Sequence, residues 1–253
     1  MESPKIWFIT GASSGFGRCM TELVLQNGDI AISTLRKPEA LVDLARKYPE
    51  HRLVVLKLDV TKPAEKKFGR IDVIFNNAGC LVVGEVENTE DHVARALFDM
   101  NFWGAVNVSK EAIRMYRDVN QSRGGRLLQI GPLNGFYHAT KFLLEGFSES
   151  LAAGLDPAWN IKVTLIEPGP FYTSIIDNAV NVPPHLAYDN SELPSVAAMR
   201  LLLNGDFFSD DAMKAVGKIT VVFKMFHSST LINAAIRNRS LNNVFPNRNQ
   251  RRT

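Results

Sequence analysis

The stretch that most limits the folds open to this chain lies near its start. Lys5 to Thr10 (Lys-Ile-Trp-Phe-Ile-Thr) is almost continuously apolar and runs directly into Gly11-Ala12-Ser13-Ser14-Gly15-Phe16-Gly17. An apolar run of that kind fits a parallel strand buried on both faces. From Arg18 to Asn27 the spacing predicts a helix, and Gly28 is placed to end it as the C′ residue. Strand, glycine-rich turn, helix is the arrangement in which backbone amides at a helix N-terminus receive a dinucleotide pyrophosphate. Gly11 permits the tight turn, Gly15 lets the backbone approach the phosphates, and Gly17 lets the helix pack closely. Ser13, Ser14 and Phe16 complete this candidate cradle.

Strands and helices alternate from there. Ile30 to Thr34 reads as a second strand ending at Leu35-Arg36-Lys37. An acid at such a strand end accepts hydrogen bonds from the adenosine ribose and repels a phosphate, whereas a basic residue does the reverse. Arg36 therefore favours NADP over NAD. Pro38 opens a helix to about Tyr48, and Arg52 to Leu58 is a third strand ending in Asp59, placed to hydrogen-bond an adenine amino group. From Asp59 to Arg70 only twelve residues reach the fourth strand, Ile71 to Asn76. In a doubly wound sheet that path crosses about three strand spacings of ~4.8 Å and one strand length of ~18 Å, roughly 23 Å in all. A helix of that length spans only ~18 Å, against ~40 Å for an extended chain, so at most a turn or two, over Pro63 to Phe68, can be helical. The sheet should be thinly covered there.

Asn76-Asn77-Ala78-Gly79 follows the fourth strand and offers amides and small residues at its carboxyl end. Thr89 is placed to cap a helix towards Met100, which Asn101-Phe102-Trp103-Gly104 continues to near Asn120. A fifth strand, Arg126 to Ile130, leads into Gly131-Pro132-Leu133-Asn134-Gly135, and a helix from Tyr137 to about Leu155 follows. Tyr137 and Lys141 stand four residues apart at its start, so both project from one face. A cation beside a phenol lowers the phenol pKa and suits it to exchange a proton with a carbonyl or alcohol oxygen. A sixth strand, Ile161 to Glu167, ends at Pro168-Gly169-Pro170. The loop Phe171 to Pro194, with His185 and Tyr188, has the length of a substrate lid. Helices are expected over Ser195 to Asn204 and from Ser209, and the pattern is lost after Val216. The expected fold is α/β: a Rossmann-type doubly wound parallel sheet in a single domain over 1–236, with a shortened crossover between strands three and four. Residues 237–253 are expected to form a basic, disordered tail.

The composition, 45% hydrophobic over 253 residues, supplies a sizeable core. Cys19 and Cys80 are too few for a disulfide framework and lack metal-ligand spacing, which fits a reducing compartment and no metal. Met1-Glu2-Ser3-Pro4-Lys5 is not followed by a signal-type apolar region, and no run approaches a membrane span, so a soluble cytoplasmic protein is expected. Of the net +3, residues 212–253 carry eight Lys or Arg and no acid, leaving −5 elsewhere. Without a nucleic-acid-binding module, this reads as a solvated tail rather than a nucleic-acid site.

Together these motifs resemble the short-chain dehydrogenase/reductase family. The resemblance rests on Thr10-Gly11-Ala-Ser-Ser-Gly15-Phe-Gly17, Asp59, Asn76-Asn77-Ala78-Gly79, Asn101, Tyr137-His-Ala-Thr-Lys141 and Pro168-Gly169-Pro170, in order over residues 5 to about 175. It implies that Tyr137 is the acid/base, that Lys141 lowers its pKa and holds the nicotinamide ribose, and that Asn101 fixes a proton-relaying water. It also implies cofactor contacts from Gly11, Ser13, Ser14, Gly15, Phe16, Gly17, Arg36, Asp59, Asn77, Ala78, Gly79, Pro168 and Gly169. The chain departs from the family where a catalytic serine should end the fifth strand: Gly131-Pro132 stands there, only four residues separate Pro132 from Tyr137, and Asn134 is the nearest substitute donor. The helix between strands three and four is also largely missing, and the chain beyond Val216 does not continue the usual final strand. The implied function is NADP-dependent interconversion of a carbonyl and an alcohol on a small, moderately apolar substrate. The alternative is a catalytically impaired dinucleotide-binding protein. Self-association through the thinly covered sheet is a further expectation.

Overall fold

The strand-to-helix alternation folds into a parallel sheet whose carboxyl edge collects the motifs. A computed structural model describes residues 3–62, 69–121, 124–130, 136–166 and 173–183. The main strands are β1 (Ile6–Thr10), β2 (Ile30–Leu35), β3 (Leu53–Lys57), β4 (Val73–Asn76), β6 (Gly125–Ile130) and β7 (Ile161–Ile166), with a short β5 (Val82–Val83) before β6. The helices are α1 (Gly15–Gln26), α2 (Val42–Lys47), α3 (Asp91–Phe98), α4 (Gly104–Arg114) and α5 (Phe136–Ala153).

The six main strands pair in parallel in the order β3-β2-β1-β4-β6-β7. This is the doubly wound order, and its switch point lies between β1 and β4, where ligands of such sheets bind. On one face Trp7 and Ile9 pack with Met20, Val24, Leu128 and Ile166. On the other, Ile74, Leu127 and Ile161 pack with Ile113 and Tyr116. Each such side chain contributes about 1.5–3 kcal/mol by leaving water. The crossover from β3 to β4 contains no helix among its described residues, and it starts by laying Val60 against Gly104, where Asn107 Nδ2 donates to the Val60 carbonyl at 3.2 Å. The turn expected over Pro63 to Phe68 falls outside the described residues.

Several local expectations are corrected. Helix α1 begins at Gly15 rather than Arg18, so two glycines of low helix propensity lie inside its first turn. Thr89 does not cap the next helix: Glu90 precedes α3, and the Thr89 hydroxyl donates to the Glu85 carbonyl at 2.8 Å. The long helix through Asn101 runs on to Val119 as expected, but its winding is not uniform: Asp99–Trp103 and Met115–Val119 are wound as π-turns at either end of α4. The described part of the expected lid is not loop alone. It holds α6 (Ser174–Asp177) and β8 (Val180–Asn181), and β8 pairs in parallel with β5. The helices expected after Pro194 and the basic tail lie outside the described residues. Among the described residues, no helix is long and apolar enough to cross a membrane.

Candidate active site

The glycine turn is held by contacts that leave no room for side chains. Gly11 has φ 65°, in the left-handed region, and a Cβ on Gly17 would lie 2.3 Å from the Gly11 carbonyl oxygen. Asn77 Nδ2 donates to the carbonyls of Thr10 at 3.1 Å and Gly11 at 3.3 Å. The Thr10 hydroxyl oxygen accepts from the amides of Asn77 and Ala78, each at 2.9 Å. Asn77 therefore clamps the turn from the neighbouring strand. Ser14 precedes α1 without a side-chain cap, and the first turn of α1 carries no acid. Its positive dipole end therefore favours an anion, and the turn fits a pyrophosphate.

Arg36 is exposed at the end of β2 and has no hydrogen bond or ion pair among the described residues. Asp59 follows β3, where its Oδ1 accepts from the Thr61 hydroxyl at 2.7 Å and the Thr61 amide at 3.1 Å. Those bonds, with Lys62 and Arg36 nearby, hold its carboxyl below the usual range.

At the other end, Asn101 is fully buried in the first π-turn, a feature common at functional sites. Its Oδ1 accepts from the Cys80 amide at 2.8 Å, and its Nδ2 donates to the Cys80 carbonyl at 2.9 Å and the Thr140 hydroxyl at 3.3 Å. Thr140 Oγ1 donates in turn to the Tyr137 carbonyl at 2.7 Å. Asn101 and the first turn of α5 are thereby tied together. Lys141 Nζ donates to the Ile130 carbonyl at 2.8 Å and lies 5.6 Å from the centroid of the Tyr137 ring. Thr140 is a connection that sequence reasoning missed, since only its place before Lys141 marked it. Gly131 to Gly135, with Pro132 and Asn134, and Pro168 and Gly169 lie outside the described residues.

The short chain dehydrogenase family model matches residues 5–181 of this chain. The chain belongs to the short-chain dehydrogenase family. An uncharacterized oxidoreductase of Schizosaccharomyces pombe is 35% identical over 201 residues, which is 72% of this chain and 66% of that protein's length. The chain thus matches just under two thirds of that relative. A short-chain dehydrogenase of Streptomyces avermitilis superposes with a TM-score of 0.76 at 32% identity, covering 93% of this chain and 87% of its own. The L-sorbose reductase of Gluconobacter frateurii, solved with NADPH and L-sorbose, gives a TM-score of 0.61 at 25% identity, over 69% of this chain and 72% of its own.

In this short-chain dehydrogenase the electrostatics of the tyrosine–lysine pair run against the simple expectation. Tyr137 is only 7% exposed, packed with Leu81, Val82, Val83 and Leu97, and the helix and strand after β7 bring Ile175, Ile176 and Val182 onto the same cluster. Burial pushes its phenol above the ordinary value instead of below it. Lys141 is 3% exposed, and burial pulls its ammonium down to about 8. The spacing of four does put the two groups together. Desolvation outweighs the cation because both groups lose water at once, and each loss favours the neutral form. Cys80, next to Asn101, is raised for the same reason.

Proposed function

We propose that the chain is an NADP-dependent oxidoreductase that interconverts a carbonyl and an alcohol on a small, moderately apolar substrate, with Tyr137 as the acid/base. The observation that carries this reading is the meeting of Tyr137, Lys141 and Asn101 at the carboxyl ends of the strands, beside a glycine turn whose helix N-terminus carries no acid. Bound dinucleotide would supply or accept the hydride. The turn from Gly11 to Gly17, with Ser13, Ser14 and Phe16, would hold its phosphates, Arg36 a 2′-phosphate and Asp59 the adenine. Asn77, Ala78, Gly79, Pro168 and Gly169 would line its nicotinamide side. The NADPH bound to the sorbose reductase supports the choice made from Arg36.

Tyr137 would move the proton at its hydroxyl, Lys141 would hold the nicotinamide ribose, and Asn101 would fix a water that relays protons through Lys141. A phenol kept neutral by burial is the form that donates to a carbonyl being reduced, which suits the reductive direction. The apolar cluster around Tyr137 supports an apolar substrate. We assign residues 1–236 to the domain and 237–253 to a basic tail, and two free cysteines fit a cytoplasmic location.

One observation favours a second reading, a catalytically impaired dinucleotide-binding protein. Pro132 stands where the family places a serine, and proline has no side-chain donor. Losing one hydrogen bond to a developing oxyanion costs about 10²–10³ in rate. NADPH titration by fluorescence together with oxidation assays over ketones and aldehydes separates the two. The oxidoreductase reading expects binding and turnover. Tight binding without oxidation across the panel, in the natural chain and in Pro132→Ser, would establish the second.

A further inference from the structure

A one-way chain of buried hydrogen bonds runs behind the site. It starts where the amides of Asn77 and Ala78 donate to Thr10 Oγ1, and the Thr10 hydroxyl donates to Asn76 Oδ1 at 3.4 Å. Asn76 Nδ2 donates to Gln129 Oε1 at 2.7 Å and to the Ala105 carbonyl at 3.0 Å. Gln129 Nε2 donates to Ser109 Oγ, and Ser109 Oγ to the Ala105 carbonyl, both at 2.7 Å. Every bond points from the loop after β4 towards α4, so each donor polarises the next. The chain ends in the first turn of α4, directly after the π-turn that carries Asn101.

Gln129 and Ser109 are both fully buried, on a central strand and on the helix packed over it. A hydrophobic side chain would fill that space without needing partners, and a polar one there is costly unless satisfied. A glutamine amide can do what a hydrophobe cannot: accept from Asn76 on one side and donate to Ser109 on the other. Gln129 also immediately precedes Ile130, whose carbonyl holds Lys141.

We propose that Gln129 and Ser109 are positioning residues. By holding the Asn76 amide they set the Thr10 hydroxyl, and through it the Asn77 and Ala78 backbone, against the glycine turn. The effect on rate rests on the oxidoreductase reading above; the effect on loop geometry does not.

The test uses Gln129→Met, Ser109→Ala and Gln129→Glu, with Ser148→Ala as control. Ser148 is equally buried, but its hydroxyl donates only within its own helix, to Leu144 at 2.6 Å. In the free protein, amide hydrogen exchange at Asn77 and Ala78 should accelerate roughly tenfold or more in Gln129→Met and Ser109→Ala, and not in Ser148→Ala. Equal acceleration in all three overturns the proposal. With NADPH and a turned-over carbonyl, Gln129→Met should lower kcat roughly 10–100-fold while leaving the carbonyl KM nearly unchanged. Gln129→Glu adds a pH signature. As a neutral acid it keeps one donor and one acceptor, whereas the carboxylate forces the Ser109 hydroxyl to turn away from Ala105. Its rate should therefore recover as pH falls, which a merely space-filling residue would not produce. A Gln129→Glu rate that tracks Gln129→Met at every pH, or kcat losses matching Ser148→Ala, overturns the proposal. If the natural chain oxidises no NADPH, the oxidoreductase reading fails, and hydrogen exchange still decides this one.

Discussion

At the glycine turn, position is set by sterics and by hydrogen bonds between uncharged side chains and the main chain; around Tyr137 and Lys141 it is set by buried ionisable groups whose charges the surroundings resist. No titratable side chain lies between Thr10 and Gly17, and the turn is closed by Asn77 and Thr10 at ordinary hydrogen-bond lengths. At the other end Lys141 is driven down to about 8 and Tyr137 is driven up, both chiefly by desolvation. The first end therefore keeps its shape across pH, and the second has a charge state that binding partners can change. On the proposed oxidoreductase reading, the glycine turn would fix where a dinucleotide lies before Tyr137 and Lys141 take on the charges that a reaction needs.

The largest effect should come from violating the steric end. Gly17→Val places a branched side chain where even a Cβ would meet the Gly11 carbonyl oxygen at 2.3 Å, which is backbone that cannot swing away, and the Asn77 side-chain nitrogen at 2.8 Å. Overpacking of this kind costs up to about 3 kcal/mol, which for a domain of this size lowers the melting temperature by roughly 6–12 °C. Thermal unfolding followed by circular dichroism measures it. A variant melting within about 2 °C of the natural chain would mean that the turn yields and that its geometry is not sterically fixed.

A smaller effect distinguishes the electrostatic end. Lys141 ordinarily titrates at 10.5, and in the fold at about 8. Between these values the unfolded chain binds a proton that the folded chain does not, so stability rises with pH there. Tyr137 and Tyr116 are both raised above an ordinary value of 10, so above that pH the folded chain keeps protons that the unfolded chain loses, and the trend reverses. The window is therefore pH 8 to 10. Across it the natural chain should gain on the order of 2 kcal/mol relative to Lys141→Met, read from urea unfolding at each pH. Parallel pH profiles in the two proteins would show that Lys141 is not desolvated, and the contrast between the two ends would fail.

How much of this was legible in the sequence follows the same division. The glycine turn could be read because its demands are local: a strand, three glycines at set positions and a helix leave few alternatives. The sheet order followed from strand–helix alternation, and the short crossover from counting residues between Asp59 and Arg70. The helix start at Gly15 was hidden, since glycine is a poor helix former and gives no periodic signal. Thr89 looked like a cap because threonine favours that place, yet its hydroxyl found the Glu85 carbonyl first. The π-turn around Asn101 needs an extra residue per turn that the apolar pattern does not show. Strands as short as Val82–Val83 and Val180–Asn181 have no measurable alternation, and only tertiary contact pairs them. The direction of the Tyr137 shift was unreadable for a different reason. A spacing of four fixes that two groups are near each other, but the dielectric around them comes from residues as distant in sequence as Leu81 and Ile176.

The proposed function rests on Tyr137 as the group that transfers the proton in a dinucleotide-dependent reduction. NADPH oxidation by Tyr137→Phe, on a carbonyl that the natural chain reduces, tests it most directly when NADPH binding is titrated on the same preparation. Unchanged NADPH affinity is expected, with turnover reduced at least roughly 10²-fold, the lower range for removing a general acid. Turnover by Tyr137→Phe within a fewfold of the natural chain would contradict it.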